Sequence, residues 1–214
     1  MNFQTLRYLI TVFAFSCMIL QFAVSAARSD EPYILVDAGT GEILTGNKID
    51  HQWHPASLTK LMTAYVTFKA IQNGEIKAGS PVIFSRAATR QPPSKMGYKQ
   101  GTSLRIDAAL KIIIVKSAND VSHALGEAVA GTLENFIARM NFEAKRLGMT
   151  NTRFTNPHGL HNARQVTSAR DMAILSIRIK REFPQYAELF RANAIKTPQK
   201  TYNTYNLLLS RFPG

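Results

Sequence analysis

Pro55-Ala56-Ser57-Leu58-Thr59-Lys60 is the stretch on which the reading of this 214-residue chain turns. After His54-Pro55 an apolar stripe runs through Leu58, Leu61, Met62, Tyr65, Val66 and Ile71, at spacings of three and four. That period predicts a helix, ended by Gly74. Ser57 and Lys60 then stand at its start, three residues apart and on one face. A serine hydroxyl is a poor nucleophile until a base removes its proton. Lysine can be that base only where burial lowers its pKa, because desolvation disfavours the charged form. The free N–H groups and positive dipole end of a helix N-terminus suit a developing oxyanion. The bland alternative is local, since serine is a common N-cap and lysine a common helical residue. It is the one Ser-x-x-Lys of the chain, and a short motif of low specificity by itself.

Working outward, Tyr33 to Asp37 reads as a strand by its β-branched and aromatic content. Ala38 to Gly41 is a turn, and Glu42 to Thr45 returns as the second strand of a hairpin. Downstream, Pro81 to Phe84 is a short strand and Ser85 to Thr102 a long polar loop. Ile106 to Lys116 is apolar nearly all round, the mark of a buried helix. Asp120–Ala130 and Thr132–Leu147 are further helices, separated by Gly131 and closed by Gly148. Thr150 to Thr167 is a loop. Ser168-Ala169-Arg170-Asp171 resembles a capping box opening a helix that runs to about Glu182. Pro184 starts a short helix, and Thr201 to Leu209 a strand. Strands in front and helices in the middle predict an α+β domain with a helical insertion. These strands are too few for a full sheet, and Pro213-Gly214 is turn-like, so further strands are expected beyond Gly214.

The second chemical element is Ser117-Ala118-Asn119, the one Ser-x-Asn of the chain. It lies between two expected helices, where a short turn is a rigid pedestal that can aim polar tips into a cleft. Ser117 could relay a proton between Lys60 and a leaving amine. Asn119 offers a donor to a substrate carbonyl and an acceptor to Lys60. Helix capping explains either residue equally well locally. The order of the two motifs, each at a helix end, favours the chemical reading.

Ser-x-x-Lys followed by Ser-x-Asn resembles the active-site series of penicillin-binding proteins and serine β-lactamases. The surrounding wording is similar to the low-molecular-mass D-alanyl-D-alanine carboxypeptidases of the serine peptidase S11 family. Pro55 to Lys60 resembles that family's nucleophile segment and Ser117 to Asp120 its second motif. Asn156-Pro157-His158-Gly159-Leu160 and Thr167 to Met172 resemble two further segments. The likeness covers about residues 31 to 212. It implies a β-lactamase/transpeptidase-like α+β fold, an antiparallel sheet flanked by helices with an all-helical subdomain. It also implies the reaction: Ser57 attacks the bond between two D-alanines of a peptidoglycan stem peptide. Lys60 is the base, Ser117 helps protonate the leaving D-alanine, Asn119 binds substrate, and β-lactam antibiotics inhibit by acylating Ser57. No cofactor or metal is implied. His158 is read as a satisfied loop histidine rather than a general base. His51, His54 and His161 show no metal-ligand spacing with carboxylates. Arg170 and Asp171 are expected to serve the helix start, and Trp53 to belong to the core or the cleft wall.

The family's third motif, Lys-Thr-Gly, does not occur in the 214 residues; Lys196-Thr197-Pro198 and Lys200-Thr201-Tyr202 share letters only. The resemblance places that motif shortly after the segment ending at Pro213. The C-terminal strands are therefore expected to be missing, and a polypeptide ending at Gly214 to be inactive or nearly so. Loss of one oxyanion donor alone costs about 3–4 kcal/mol of transition-state stabilisation. Other readings remain open: a DD-endopeptidase, a β-lactamase-like hydrolase, or a non-catalytic wall-binding fragment. Against a β-lactamase, Thr150 to Leu160 holds no acidic residue to activate a deacylating water.

Arg7 is the only charge before Arg28. An apolar run separates them and ends in Val24-Ser25-Ala26-Ala27. This reads as a signal peptide over residues 1–27, cleaved after Ala26 or Ala27, followed by a catalytic domain over 28–214. An uncleaved anchor is the alternative. Cys17, the only cysteine, lies in that run, so the remainder has no thiol chemistry and no cysteine-ligated metal. Export to the periplasm or the outer face of the cytoplasmic membrane follows. The net charge of +12 then points away from nucleic acid and toward an anionic membrane face or wall polymer, or serves solubility alone.

Overall fold

The structure is a computed structural model, and it describes residues 30–197 and 200–211. The signal-peptide reading of residues 1–27 lies outside these residues. The helix expected from Ser57 onward is the centre of the domain. A 3-10 turn, Ala56–Leu58, leads directly into α1, Thr59–Gln72. Met62, Tyr65, Val66 and Phe68 are buried, and so are Thr63 and Thr67, each of which answers its hydroxyl with a backbone carbonyl, of Pro157 and Thr63 respectively. A helix that buries polar positions this way is enclosed on most sides. Asn73 closes it and Gly74, at φ +75°, turns the chain away.

The hairpin in front is β1, Tyr33–Val36, antiparallel to β2, Ile43–Asn47. Asp37 caps its turn by accepting the Gly39 and Thr40 N–H groups. Next comes β3, Pro81–Ile83, and then α2, Arg86–Thr89, a four-residue helix inside the segment read as loop. Ser85 Oγ caps it by accepting from Ala88 N at 3.0 Å. A single turn carries no readable period, and burial of Ala88 holds it in place. β4, Ser103–Arg105, pairs with β3 with Val82 opposite Leu104.

Three helices then form the all-helical part: α3, Ile106–Val115; α4, Asn119–Ala130; and α5, Leu133–Arg146. Ile106, Leu110, Ile112 and Ile113 of α3 are buried, as the apolar run predicted. Thr132 Oγ1 caps α5 through Asn135 N. Gly126 of α4 lies so close to Phe136 of α5 that an added Cβ would stand 3.0 Å from its ring.

α6, Ala169–Glu182, begins at Ser168, whose Oγ accepts from Asp171 N at 3.2 Å. The expected box is only half made. The Asp171 carboxylate instead accepts from Asn151 N and Thr152 Oγ1, tying the preceding loop to the helix start. Arg170 pairs with Asp50. A 3-10 turn, Pro184–Tyr186, leads to α7, Ala187–Arg191, and Phe68, Phe183 and Tyr186 stack between them and α1. β5, Ala194–Lys196, pairs with β6, Thr201–Asn203. The strand expected over Thr201 to Leu209 stops at Asn203, and α8, Leu208–Arg211, follows. The fold is α+β, and its antiparallel pairing occurs among the described residues as three two-stranded pairs. Of the two places expected for Trp53, the core is excluded, since it is 49% exposed and bridged by backbone to Thr167, and it is not among the residues lining the cleft around Ser57. No described helix is long and apolar enough to cross a membrane.

Candidate active site

Ser57 is exposed, while Lys60, one turn on, retains 4% of its exposure. The helical spacing brings Lys60 Nζ to 3.4 Å from Ser57 Oγ. Nζ also donates to Asn119 Oδ1 at 2.9 Å and to the His158 carbonyl at 2.6 Å. Among the described residues no carboxylate pairs with it. Burial therefore pushes the Lys60 pKa from 10.5 down to about 8. Three neutral oxygens orient an amine that is partly unprotonated near neutrality, which is the condition a lysine base requires.

Three segments hold this constellation. The first is the turn before α1, where Ala56 is forced to φ +44°. Non-glycine residues pay about 1–2 kcal/mol there, and the surroundings must enforce it. Gly159, at φ +91°, lies directly against that turn; a Cβ on it would sit 1.8 Å from the Ala56 carbonyl oxygen. The second is the 156–160 loop itself. Asn156 Oδ1 accepts from Gly159 N and Gln165 Nε2, and its Nδ2 donates to Leu160 O. Gln165 Oε1 accepts from Thr155 N and Asn156 N, while its Nε2 donates to Thr59 Oγ1 at the start of α1. The third is the turn between α3 and α4. Ser117 takes φ +58° there, and its buried Oγ has no hydrogen-bond partner among the described residues.

Ser57, Lys60 and Ser117 line one cleft of about 840 Å³, with Ser94, Thr204 and Tyr205 also on its wall. Asn119 joins them through Lys60, and its Nδ2 donates to Pro92 O at 3.0 Å. The four residues singled out by sequence thus converge, although Ser117 makes no hydrogen bond to Lys60. His158 is buried. Its ring Nδ1 accepts from Leu160 N, and burial with the Lys60 charge lowers its pKa to about 3. The ring is buried and hydrogen-bonded at Nδ1, in keeping with a satisfied loop histidine, and the His158 carbonyl is a direct Lys60 partner that sequence reasoning missed. Backbone carbonyls carry no residue-type signal, so only the fold reveals this one. Gln165 and Ser94 were missed for a similar reason, being single polar residues in loops. Among the described residues no three His, Asp or Glu side chains converge on a metal position.

The peptidase S11 family model, described as D-alanyl-D-alanine carboxypeptidase, matches residues 21–212. The chain belongs to that family. The S11 chain is 36% identical over 185 residues to the D-alanyl-D-alanine carboxypeptidase DacA of Haemophilus influenzae, covering 85% of itself and 47% of that protein. The solved penicillin-binding protein 5 of Haemophilus influenzae superposes with TM-score 0.81 at 35% identity, over 84% of this chain and 53% of the other. Penicillin-binding protein D2 of Listeria monocytogenes, in its cefotaxime-bound form, gives TM-score 0.75 at 26% identity, over 86% and 75%. These neighbours carry the fold class expected from the motifs. The chain spans about half the length of the curated relatives it matches.

Proposed function

We propose that this S11 protein is a serine-type D-Ala-D-Ala carboxypeptidase that removes the terminal D-alanine from peptidoglycan stem peptides. The observation that carries this reading is the Lys60 amine, desolvated, without a carboxylate partner among the described residues and 3.4 Å from Ser57 Oγ. Neutral Lys60 takes the Ser57 proton as Oγ attacks the carbonyl carbon of the penultimate D-alanine. The positive dipole end of α1 favours the negative charge that develops on the attacked carbonyl oxygen. The C–N bond breaks as Ser117 passes a proton from Lys60 to the departing amine. Water then hydrolyses the ester, releasing the shortened peptide and Ser57. The unpartnered Ser117 hydroxyl supports its relay role, and Asn119 holds Lys60 and presents its amide to the substrate chain. β-Lactams would acylate the same serine; cefotaxime occupies the Listeria relative.

Incubating the protein from its native source with a labelled penicillin, then mapping the adduct by peptide mass, tests this. The label is expected on the Ser57 peptide and absent from Ser57→Ala. A folded native protein that carries a Lys-Thr-Gly strand and takes no label sinks the reading. The substrate lies outside the cytoplasmic membrane, so residues 1–27 act as an export signal in this proposal. N-terminal sequencing of the exported form is expected to start at Ala27 or Arg28.

A further inference from the structure

Asp120, the residue after the Ser-x-Asn motif, has 0% exposure and, among the described residues, no lysine or arginine paired with it. Its carboxylate is answered by backbone alone. Met96 N donates to both oxygens at 3.0 and 3.1 Å, Gly97 N donates to Oδ2 at 2.9 Å, and Val121 N to Oδ1 at 2.9 Å. Two of these three donors lie on the 92–97 loop, more than twenty residues away in sequence. The same loop grips the catalytic turn at three other points. Ser94 O accepts from Asn119 N at 2.7 Å, Pro92 O accepts from Asn119 Nδ2 at 3.0 Å, and Ser94 Oγ donates to Lys116 O at 3.2 Å. Ser94 then forms part of the cleft wall.

The Pro92 contact fixes which way the Asn119 amide faces. With Nδ2 held by a carbonyl, Oδ1 is the atom presented to Lys60, and it accepts from Nζ at 2.9 Å. One Nδ2 hydrogen is used and the other remains for a ligand. A carboxylate only accepts hydrogen bonds, so it suits a site where N–H groups converge; an amide would set its own NH2 against them.

We infer that Asp120 is a positioning residue for Asn119 and Lys60. It acts by locking the 92–97 loop as the fixed wall of the cleft, with Ser94 as that wall's contact to substrate. This rests on the proposed Ser57 chemistry, so two readouts are needed. In the first, Asp120→Asn is titrated with labelled penicillin. The acylation rate constant of the labelled population is expected to fall at least tenfold. A merely structural role would lower the fraction labelled and leave that rate constant unchanged, which overturns the inference. In the second, hydrogen exchange of the Met96 and Gly97 amides and of Asn119 Nδ2 is compared by NMR. Protection is expected to drop at least tenfold in Asp120→Asn; unchanged protection overturns the inference whether or not the protein takes penicillin. If wild type is inert to penicillin but the exchange effect appears, the proposed function fails and the positioning stands. Should Asp120→Asn not fold, Ser94→Ala removes both the hydroxyl tie to Lys116 and the wall's hydroxyl in the cleft. An acylation rate at least threefold lower is expected, and an unchanged rate overturns the loop's role.

Discussion

Burial without a counter-charge sets the behaviour of Lys60, and the sign of its pH effects follows. In the proposed reaction the free amine is the competent form, so penicillin acylation is expected to rise with pH along a limb centred near 8. A stopped-flow pH profile that is flat from 6 to 9 contradicts this. The same residue bears on stability. Its folded pKa, about 8, lies below the unfolded value, so between about 8 and 10.5 the unfolded chain binds more protons and stability rises with pH. The gain is about 3 kcal/mol. It is expected to vanish in Lys60→Met, measured by urea unfolding at both ends of that window. Gly159 is constrained more tightly. Its positive φ and its contact with Ala56 leave no room for a methyl group. Gly159→Ala is expected to cost about 2–3 kcal/mol of stability and to slow acylation of Ser57 at least a hundredfold. In the sequence Gly159 was one letter of a family-like segment. Its reason, a backbone-to-backbone approach to the nucleophile turn, is a long-range contact with no local trace.

Among the elements, those with a strong period were legible before the structure. α1, α3, α4, α5 and α6 fall within a residue or two of their expected bounds because each buries a sustained apolar face against the others. α2, β4 and β5 were missed. Each is three or four residues long, too short for a period, and exists because a cap or a neighbouring strand satisfies its backbone. The capping box of α6 was half right for a related reason: Asp171 found better donors in the 150s loop than at Ser168. The contact of α4 with α5 yields a prediction that separates packing from chemistry. Gly126→Val would drive a branched side chain into Phe136 and is expected to lower unfolding free energy by about 2 kcal/mol. The acylation rate of the folded fraction should stay within twofold of wild type. A larger rate loss would place the α4–α5 interface in the machinery of the cleft.

Over the whole molecule, the charge of +12 predicts a salt-dependent attraction to anionic wall polymer. Cosedimentation with such polymer is expected to fall at least fivefold between 50 and 500 mM salt; salt-independent binding would assign the charge to solubility. What the sequence determined by itself was the family, the α+β class, the helical order, and the three residues that line one cleft with Asn119 joined to them through Lys60. Those features are written in local periods and in motif spacing, which residue types alone encode. What only the tertiary structure decided was how the motifs are held: the His158 carbonyl on Lys60, Gly159 against Ala56, Gln165 stapling the loop to α1, and Asp120 locking the 92–97 loop on Asn119. These contacts join backbone groups and single polar side chains far apart in the chain. Backbone groups are the same at every position, so their pairing becomes visible only when packing brings the segments together.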